Sequence, residues 1–517
     1  MAPSFCLATR PWIPLARTTD RMVGLRSLFH HAHEIEDLAL PIPPAESSLW
    51  RLLAAITARL TTLDQPDMPV SDWHEQRARL LVAKGGFDRE AVDTYLSMFT
   101  WDLFDTKRPF LQDPSLAGQC REAAGVNALV HGRPAGNNLA WFSVHTDTHP
   151  RPVTSHEAAW HLLVHHYYGR SGRCSARTVD TVTEASLRAG PIRGTVSFHP
   201  RGRTLYESML LHLTPYRGPG QSEPDRCPWE EPAPRDPLAP PAAVTWPGGI
   251  LTGRSRHAVL LVPDADGSHV TNAYLTWATL QSGLPATDPY LIIRTDPKKP
   301  AETRDMPQRA DTDRAVWLDL DTLVLAGDET STARRPEVFS SLNDLPADVV
   351  THLQVRVLGF DQEAKTNNRA WYSALTPPIW TWAQEKDPLM AARIAECRLA
   401  AETVAAVLAR AATRAWREAT LPNAGSSKPP HRGTEHQPLW TRQALAAYWP
   451  RAETVFWNLI NHHPDRPAFP AFAYEAVDSL RTAAGPALPR QRGAGPALAR
   501  AVVTLRETAA PRPKDRR

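Results

Sequence analysis

The stretch Val357–Ser373, VLGFDQEAKTNNRAWYS, runs from a strand-like segment into a polar loop and out toward a tryptophan-rich approach to a helical C-terminal region. Val355, Val357, Leu358 and Phe360 have the β-branched and apolar character of a half-buried strand, and Gly359 allows a bulge or a close backbone approach within it. The side chains that follow, Asp361, Gln362, Glu363, Lys365, Asn367 and Asn368, form hydrogen bonds readily and gain nothing from a core. Taken alone, such a run describes a solvated turn. It becomes a candidate working tip only through the rest of the chain.

At 517 residues the chain is too long for one ordinary core, which favours two or three domains, and 42% hydrophobic content with 17 tryptophans is enough to fill them. A net charge of +3 argues neither for nor against nucleic acid as a whole-molecule property. Its distribution is uneven: Lys428–Arg517 holds 14 Lys and Arg against 7 Asp and Glu, and His165–Thr204 holds 7 Arg against 2 acids. Two basic zones suggest local contacts with a polyanion, although arginine enrichment and 49 prolines also fit a GC-rich genome. Cys6, Cys120, Cys174, Cys227 and Cys397 lie far apart with no CxxC pair, so neither a disulfide framework nor a zinc ribbon is indicated and a reducing cytoplasm is expected. The opening MAPSFCLATRPWIPL lacks a basic segment followed by a continuous apolar one, and no run reaches transmembrane length, so a soluble chain without a membrane partner is expected.

Along the chain, Phe5–Leu15 reads as a short strand that Pro11 and Pro14 confine to an edge or a hairpin, and Gly24–His33 as a turn into a short helix. Ser47–Leu63 reads as an amphipathic helix capped by Ser47 or Ser48, followed by helical stretches at Asp72–Lys84 and Asp88–Trp101. Gly125–Asp147 is loop-like. Ser155 caps a helix to about Tyr168, which stops at Gly169-Arg170-Ser171-Gly172-Arg173; glycine there permits a left-handed cap and a close approach to a phosphate or base edge. Ile192–Phe198 alternates as a strand, Pro200–Arg203 turns, and Leu205–Leu213 is helical. Eight prolines in Tyr216–Pro241 mark a linker or surface excursion. Ala258–Val262, Tyr290–Arg294 and Ala315–Leu320 read as strands of a mostly antiparallel region. Pro388–Thr420, Thr441–Asn461, Ala471–Ala484 and Pro496–Ala509 read as four amphipathic helices with short connections, an antiparallel bundle in which Pro450 is a potential break. The expected fold class is therefore α+β: a large mixed N-terminal domain with antiparallel β subregions over residues 1–385, then a basic four-helix bundle with a C-terminal tail over 386–517.

Catalytic patterns are sparse. HHAHEIED at His30–Asp37 lacks the HExxH spacing that sets two imidazoles and a base on one helix face. His161 and His165 stand at i and i+4 with Glu157 one turn earlier, but without a third-ligand pattern helix-face packing is the preferred reading. His462-His463-Pro464-Asp465 suits a helix end whose imidazoles face the macrodipole, with a proline stop after it. Phosphate loops of the GxxxxGK[ST] kind, GxGxxG after a strand and GxSxG are all missing from the sequence. Asp319 and Asp321, read on a strand, share one exposed face. A metal-dependent hydrolase using Glu157, His161 and His165, or His462, His463 and Asp465, is the rival enzyme reading; a generic nucleic-acid-binding interaction protein is a third.

Several stretches, in order, resemble the large subunit of the type I-E CRISPR surveillance complex Cascade, the CasA family. RPWIPLARTTDRMVGLRSLF is similar to the family's opening strand and the helix after it, and RPFLQDP at Arg108–Pro114 to its aromatic-Gln loop. GRSGRC at Gly169–Cys174 with LRAGPIRGTVSFHPRGRTLYESMLLHL at Leu187–Leu213 resembles its glycine loop and following strand-helix unit, and VLGFDQEAKTNNRAWYSALTP at Val357–Pro377 the stretch before its bundle. Order and spacing over nearly the whole chain carry the resemblance more than any one motif.

The resemblance implies a non-catalytic subunit without a cofactor. A guide RNA reads the target by pairing, while this subunit reads a short adjacent motif in the duplex, mainly from the minor groove, and helps to open the strands. It implies minor-groove contacts from Gly169, Arg170 and Gly172, and a wedge at Gln362, Glu363, Ala364 and Lys365, with Asn367 and Asn368 beside it. Gln362 or Glu363 leads that wedge, with Gln362 preferred because a carboxylate repels DNA. Leu129, Val130 and His131 fall in the loop that meets the guide's 5′ handle and a neighbouring subunit, where aliphatic packing replaces an expected aromatic. Leu261–Thr271 holds no lysine to serve as the family's lysine loop. Arg414, Arg417, Lys428, Arg432, Arg442, Arg490 and Arg492 become candidate contacts to DNA backbone, of which a minority is expected to touch it. The implied partners are guide RNA, double-stranded target DNA, the backbone, small and handle-binding subunits, and a helicase-nuclease.

Overall fold

The computed structural model describes residues 2–17, 21–135, 143–216, 225–240, 245–252, 255–280, 288–327, 332–363, 367–420 and 437–508. They divide into two compact units, Met1–Val316 with Gly327–Thr381 and Trp317–Ala326 with Trp382–Arg517. The first is mixed helix and antiparallel sheet, the second helical, which is the α+β architecture that the sequence predicts.

In the first unit a two-residue ribbon pairs Ile13–Pro14 with Met22–Val23, shorter than the expected Phe5–Leu15 strand because Pro11 and Pro14 deny it ladder donors. The central helix α1, Pro43–Thr61, is buried on nearly every face. It starts at its two prolines, preorganised for a first turn. Ser47 and Ser48 therefore do not cap it: the Ser48 hydroxyl donates to the Pro44 carbonyl at 2.7 Å, and Ser47 meets the Tyr168 hydroxyl at 3.0 Å. Helix α2, Ser155–Tyr168, packs against α1, and its Ser155 hydroxyl donates to the Gly267 carbonyl rather than capping.

Strands β1, Gly172–Val179, and β2, Val182–Leu187, form a hairpin that the polar and small composition of GRCSARTV conceals. Strand β3, Val196–Arg201, follows; Pro200 and Arg201, expected to turn, extend it. The segment Tyr216–Pro241 is not a linker where it is described: Cys227 and Trp229 are buried, Trp229 lies 5.6 Å from Trp101 and 5.8 Å from Phe110, and Glu230 bonds Arg59 at 3.1 Å. Strands β4, His257–Pro263, and β5, His269–Trp277, form a second hairpin. Strands β6, Gln354–Glu363, and β7, Asn367–Leu375, form a third, and β6 pairs on its other side with β3, giving the antiparallel order β7-β6-β3. Val355, Val357, Leu358 and Phe360 are all buried on β6. Gly359 faces Val196, and a Cβ there would stand 3.1 Å from the Thr195 carbonyl oxygen and 3.2 Å from Ala310 Cβ, so the close approach falls at Gly359 while the bulge falls between Asp361 and Gln362.

In the second unit, Val316–Asp319 is a single 3-10 turn leading into the helix Leu320–Val324. The strand expected there does not form, and Asp319 and Asp321 do not share a strand face; the Asp321 carboxylate instead accepts from Arg398 at 2.7 Å. Four helices follow, α3 Pro388–Thr420, α4 Leu439–Asn461, α5 Ala468–Ala484 and α6 Ala494–Thr508. Along α3, Ala391, Ile394, Cys397, Ala401, Val404, Leu408, Ala412 and Ala415 recur at helical spacing and are buried, small residues letting neighbouring axes come close. Pro450 does not break α4: its ring is exposed and its carbonyl accepts from the Thr454 hydroxyl at 3.2 Å.

Candidate nucleic-acid interface

Strand β6 carries Gln362 to the end of its hairpin, on the same buried face as Leu358 and Phe360. Gln362 is 2% exposed, with every polar group of its amide engaged. Its Oε1 accepts from the Gly194 backbone N–H at 3.0 Å, and its Nε2 donates to the Tyr168 carbonyl at 3.1 Å and to Asn368 Oδ1 at 2.8 Å. The Gln362 carbonyl accepts from Arg309 Nη2 at 2.7 Å. A buried amide is stable only when so satisfied. Gln362 is thus a clasp at the base of the hairpin and not its projecting tip. The tip lies beyond it, where Glu363 pairs in register with Asn367; Ala364 and Lys365 lie outside the described residues. Asn368 is exposed apart from the bond that it accepts from Gln362.

The Tyr168 carbonyl ends α2 and opens the glycine loop. Gly169 follows with φ −56° and ψ 148°, so no left-handed cap forms. A Cβ on Gly169 would fall 2.6 Å from the His165 carbonyl oxygen and 2.6 Å from His257 Cε1. The missing side chain makes room for the protein's own packing, not for an external backbone. Gly190 braces the loop from below: its N–H donates to the Gly169 carbonyl at 2.9 Å, and its own Cβ would lie 2.5 Å from the Tyr167 carbonyl oxygen. His257 Nε2 donates to the Arg170 carbonyl at 2.8 Å. Gly172 has φ +122° where β1 begins, a conformation that a side chain would strain, and the Arg170 side chain is exposed. Arg193 Nη1 reaches the Tyr168 carbonyl at 3.3 Å, so Gln362 and Arg193 share one acceptor. One carbonyl thus joins the glycine loop to the hairpin.

Burial, the largest cause in each case, keeps the histidines beneath the loop neutral. It holds His131 and His165 well below the usual imidazole range, His161 at about 3 and His257 at about 4. His165 Nε2 donates to the Leu129 carbonyl at 2.8 Å, His161 Nδ1 accepts from the His131 backbone N–H at 3.3 Å, and Glu157 accepts from the Thr154 hydroxyl at 2.9 Å. Those three side chains are committed elsewhere and do not face a common ion. His462, His463 and Asp465 lie exposed around the end of α4. Among the described residues no three His, Cys, Asp or Glu side chains converge as a metal cage.

Leu129 and Val130 are buried in the protein's own core, at the end of the short helix Val126–Leu129, so neither is available to replace a stacking aromatic. His131 lies over His165 with ring centroids 4.4 Å apart and meets Phe360 edge-on at 6.0 Å, which roots the following loop against β6. The turn between β4 and β5 carries Asp264, bonded to His269 at 3.1 Å, and no lysine. In the bundle, Arg414 is paired with Glu418 at 3.0 Å, Arg442, Arg490 and Arg492 are exposed, and Arg417 is half-buried; Lys428 and Arg432 lie outside the described residues. Sequence reasoning missed Gly190, Arg193, Gly194, His257 and Arg309. The two glycines flanking Arg193 in GPIRG were a signal; Arg309 left none, being 53 residues from the carbonyl that it holds.

This fold has counterparts among known proteins. A chain of a solved CRISPR RNA-guided surveillance complex is 38% identical, with 98% of this chain and 99% of that chain covered and a TM-score of 0.84. Crystalline Cse1 from Thermobifida fusca, at 20% identity, 98% coverage of both chains and a TM-score of 0.73, shares the fold. The CRISPR-associated protein CasA/Cse1 of Thermus thermophilus is 28% identical over 331 residues, a match spanning 62% of this chain and 60% of that relative. The family model of CRISPR-associated protein Cse1 matches residues 7–484. The class is that of large subunits of CRISPR surveillance complexes. Within it, the chain belongs to the Cse1 family, the CasA large subunits of type I-E Cascade.

Proposed function

We propose that this chain is the non-catalytic subunit that reads the protospacer-adjacent motif in duplex DNA, begins strand separation for the guide RNA, and recruits the helicase-nuclease that degrades the target. The observation that supports it best is the shared Tyr168 carbonyl: Gln362 and Arg193 fix the hairpin and the glycine loop as two prongs on one base. Minor-groove edges offer few distinguishing groups, so backbone and small polar contacts held in fixed relation suit permissive motif reading, while base pairing with the guide supplies the remaining specificity. In this reading Gly172 and Arg170 lie on one prong. Glu363, Asn367 and Asn368 belong to the other, and Ala364 and Lys365, between them in sequence, stay candidates for the wedge. The exposed Arg442, Arg490 and Arg492 of the bundle are the remaining candidates for DNA backbone.

The test is binding of the reconstituted guide-loaded complex to a library of flanking motifs. Gly172→Asp, and separately replacement of Ala364 and Lys365 by glycine, should abolish motif-dependent binding while binding to pre-opened target survives. Motif preference unchanged in both variants would remove the reading.

A further inference from the structure

The hairpin of β6 and β7 carries one aromatic ring outside the core. Of the described tryptophans, Trp371 on β7 is the one that stands exposed, at 41%, while the others are buried or half-buried. Trp12, Trp73 and Trp160 show the usual arrangement: their rings are buried, and Nε1 donates to a backbone carbonyl at 2.9, 2.9 and 2.8 Å. The Trp371 indole has neither a hydrogen bond nor a stacked aromatic neighbour among the described residues. Its backbone is nevertheless firmly held. Trp371 stands opposite Phe360 in the β6–β7 register; Phe360 is buried, and the rings of His131 and Tyr168 lie 6.0 and 6.4 Å from it.

Strand β7 is the outer strand of its sheet, and two features discourage a further protein strand from pairing with it. The extra residue of the bulge, Arg369, interrupts its ladder, and Pro377 and Pro378 follow soon after its end. Nucleic acid meets no such obstacle. From Asn367 to Gln384 the chain holds one basic residue and no acid, so the sequence of this strand brings no charge that repels a polyanion. Every base has a π-face, and stacking on an exposed aromatic ring tolerates any sequence. A base within a duplex has both faces covered by its neighbours; an unpaired one offers a face. A fixed, exposed indole therefore selects opened strands over closed duplex. Four residues of strand, about 14 Å, separate Trp371 from Asn367 near the tip, which sets the ring behind the point where a wedge enters.

We propose that Trp371 is a stacking platform for one unpaired base of the DNA single strands released when the duplex opens. The platform rests on the strand-opening assignment of the hairpin and deepens it: the tip parts the strands, and the indole behind it holds one base out of the helix and delays re-pairing.

The experiment uses the reconstituted guide-loaded complex with wild type, Trp371→Phe and Trp371→Leu. Leucine keeps apolar cover over Phe360 but removes the π-face, phenylalanine keeps a ring, and unfolding midpoints check folding. The probe is 2-aminopurine, whose fluorescence is quenched on stacking, placed singly at successive positions beside the flanking motif, in the target strand in one series and in the displaced strand in another. One position should stay quenched after opening in wild type and Trp371→Phe and brighten in Trp371→Leu, and the series that contains it assigns the strand. The lifetime of the opened complex should fall about tenfold in Trp371→Leu and stay near wild type in Trp371→Phe. Identical fluorescence in wild type and Trp371→Leu at every position of both series overturns the platform. Weaker incorporation of Trp371→Leu into the complex, with quenching unchanged, also overturns it and gives the ring to a protein partner. Failure of the strand-opening assignment is separable: wild type would then show no motif preference on closed duplex, while a pre-opened target still showed quenching that depends on Trp371.

Discussion

The rim of the glycine loop and hairpin and the four-helix bundle are both rich in arginine, yet they handle that charge in opposite ways. In the bundle several arginines are held by carboxylates, Arg398 by Asp321 at 2.7 Å and Glu402 at 2.7 Å, Arg393 by Glu396 at 2.8 Å, Arg414 by Glu418 at 3.0 Å, and Arg500 by the same Glu418 at 2.8 Å, while Arg442, Arg490 and Arg492 are exposed. At the rim, Arg309 and Arg193 instead reach backbone carbonyls, those of Gln362 at 2.7 Å and Tyr168 at 3.3 Å, and Arg170 is exposed. Basic residues counted along a sequence therefore do not tell which of them a carboxylate already holds.

The sharpest way to break this comparison is through Gln362. If it clasps the prongs, Gln362→Ala leaves the Gly194 N–H and one side of the Tyr168 carbonyl without their buried partner, at a cost of about 2–4 kcal/mol. Denaturant unfolding of the variant should show that loss, together with collapse of motif preference even though the side chain touches no DNA. A stability like that of wild type would mean that the amide is dispensable and that the prongs are independent.

An acid titration sharpens the rim side. Burial lowers His257 from its ordinary value near 6.5 to about 4, and its neutral ring holds the Arg170 carbonyl. Because the folded pKa lies below the unfolded one, the unfolded chain binds more protons between them. Stability from this group is complete above pH 6.5 and lost progressively toward pH 4, at up to about 1.4 kcal/mol per pH unit for each such histidine. His165, lowered in the same direction by burial, adds to the slope. The unfolding midpoint of wild type should fall between pH 7 and pH 5, more shallowly in His257→Asn; parallel curves for the two would sink the assignment.

What could be read in advance follows from how local each signal is. The apolar run Val355–Phe360 and the repeats of the bundle helices depend on spacing within one element, and the structure keeps both. Gln362 was misread because its polarity was weighed above its place: at i+2 from Phe360 and i+4 from Leu358 it shares their buried face of β6, while the extra residue of the bulge, Arg369, lies on β7. The capping serines of α1 were misread because two prolines set its start four residues earlier. Gly169 was rightly singled out as a close approach but to the wrong partner, since His257 lies 88 residues away. Arg309 and Arg193 enter the site only through tertiary contacts with Gln362 and Tyr168. Local patterns named the prongs, and long-range hydrogen bonds decided their joint.

The smallest effect expected is also the one that tests the bundle half of the contrast. Arg414 is 80% exposed and shares Glu418 with Arg500, so its pairing is screened by water and easily exchanged. Arg414→Ala should leave the unfolding midpoint within error and the salt slope of duplex binding unchanged, because Glu418 retains Arg500 and no phosphate contact is removed. Glu418→Gln inverts the logic: it releases Arg414 and Arg500 together, and if an internal carboxylate is what keeps the bundle's charge from a polyanion, the salt slope should rise while motif ranking stays fixed. A slope that falls in Arg414→Ala would show that an ion-paired arginine still reaches a phosphate, and the distinction between answered and unanswered charge would no longer separate the two surfaces.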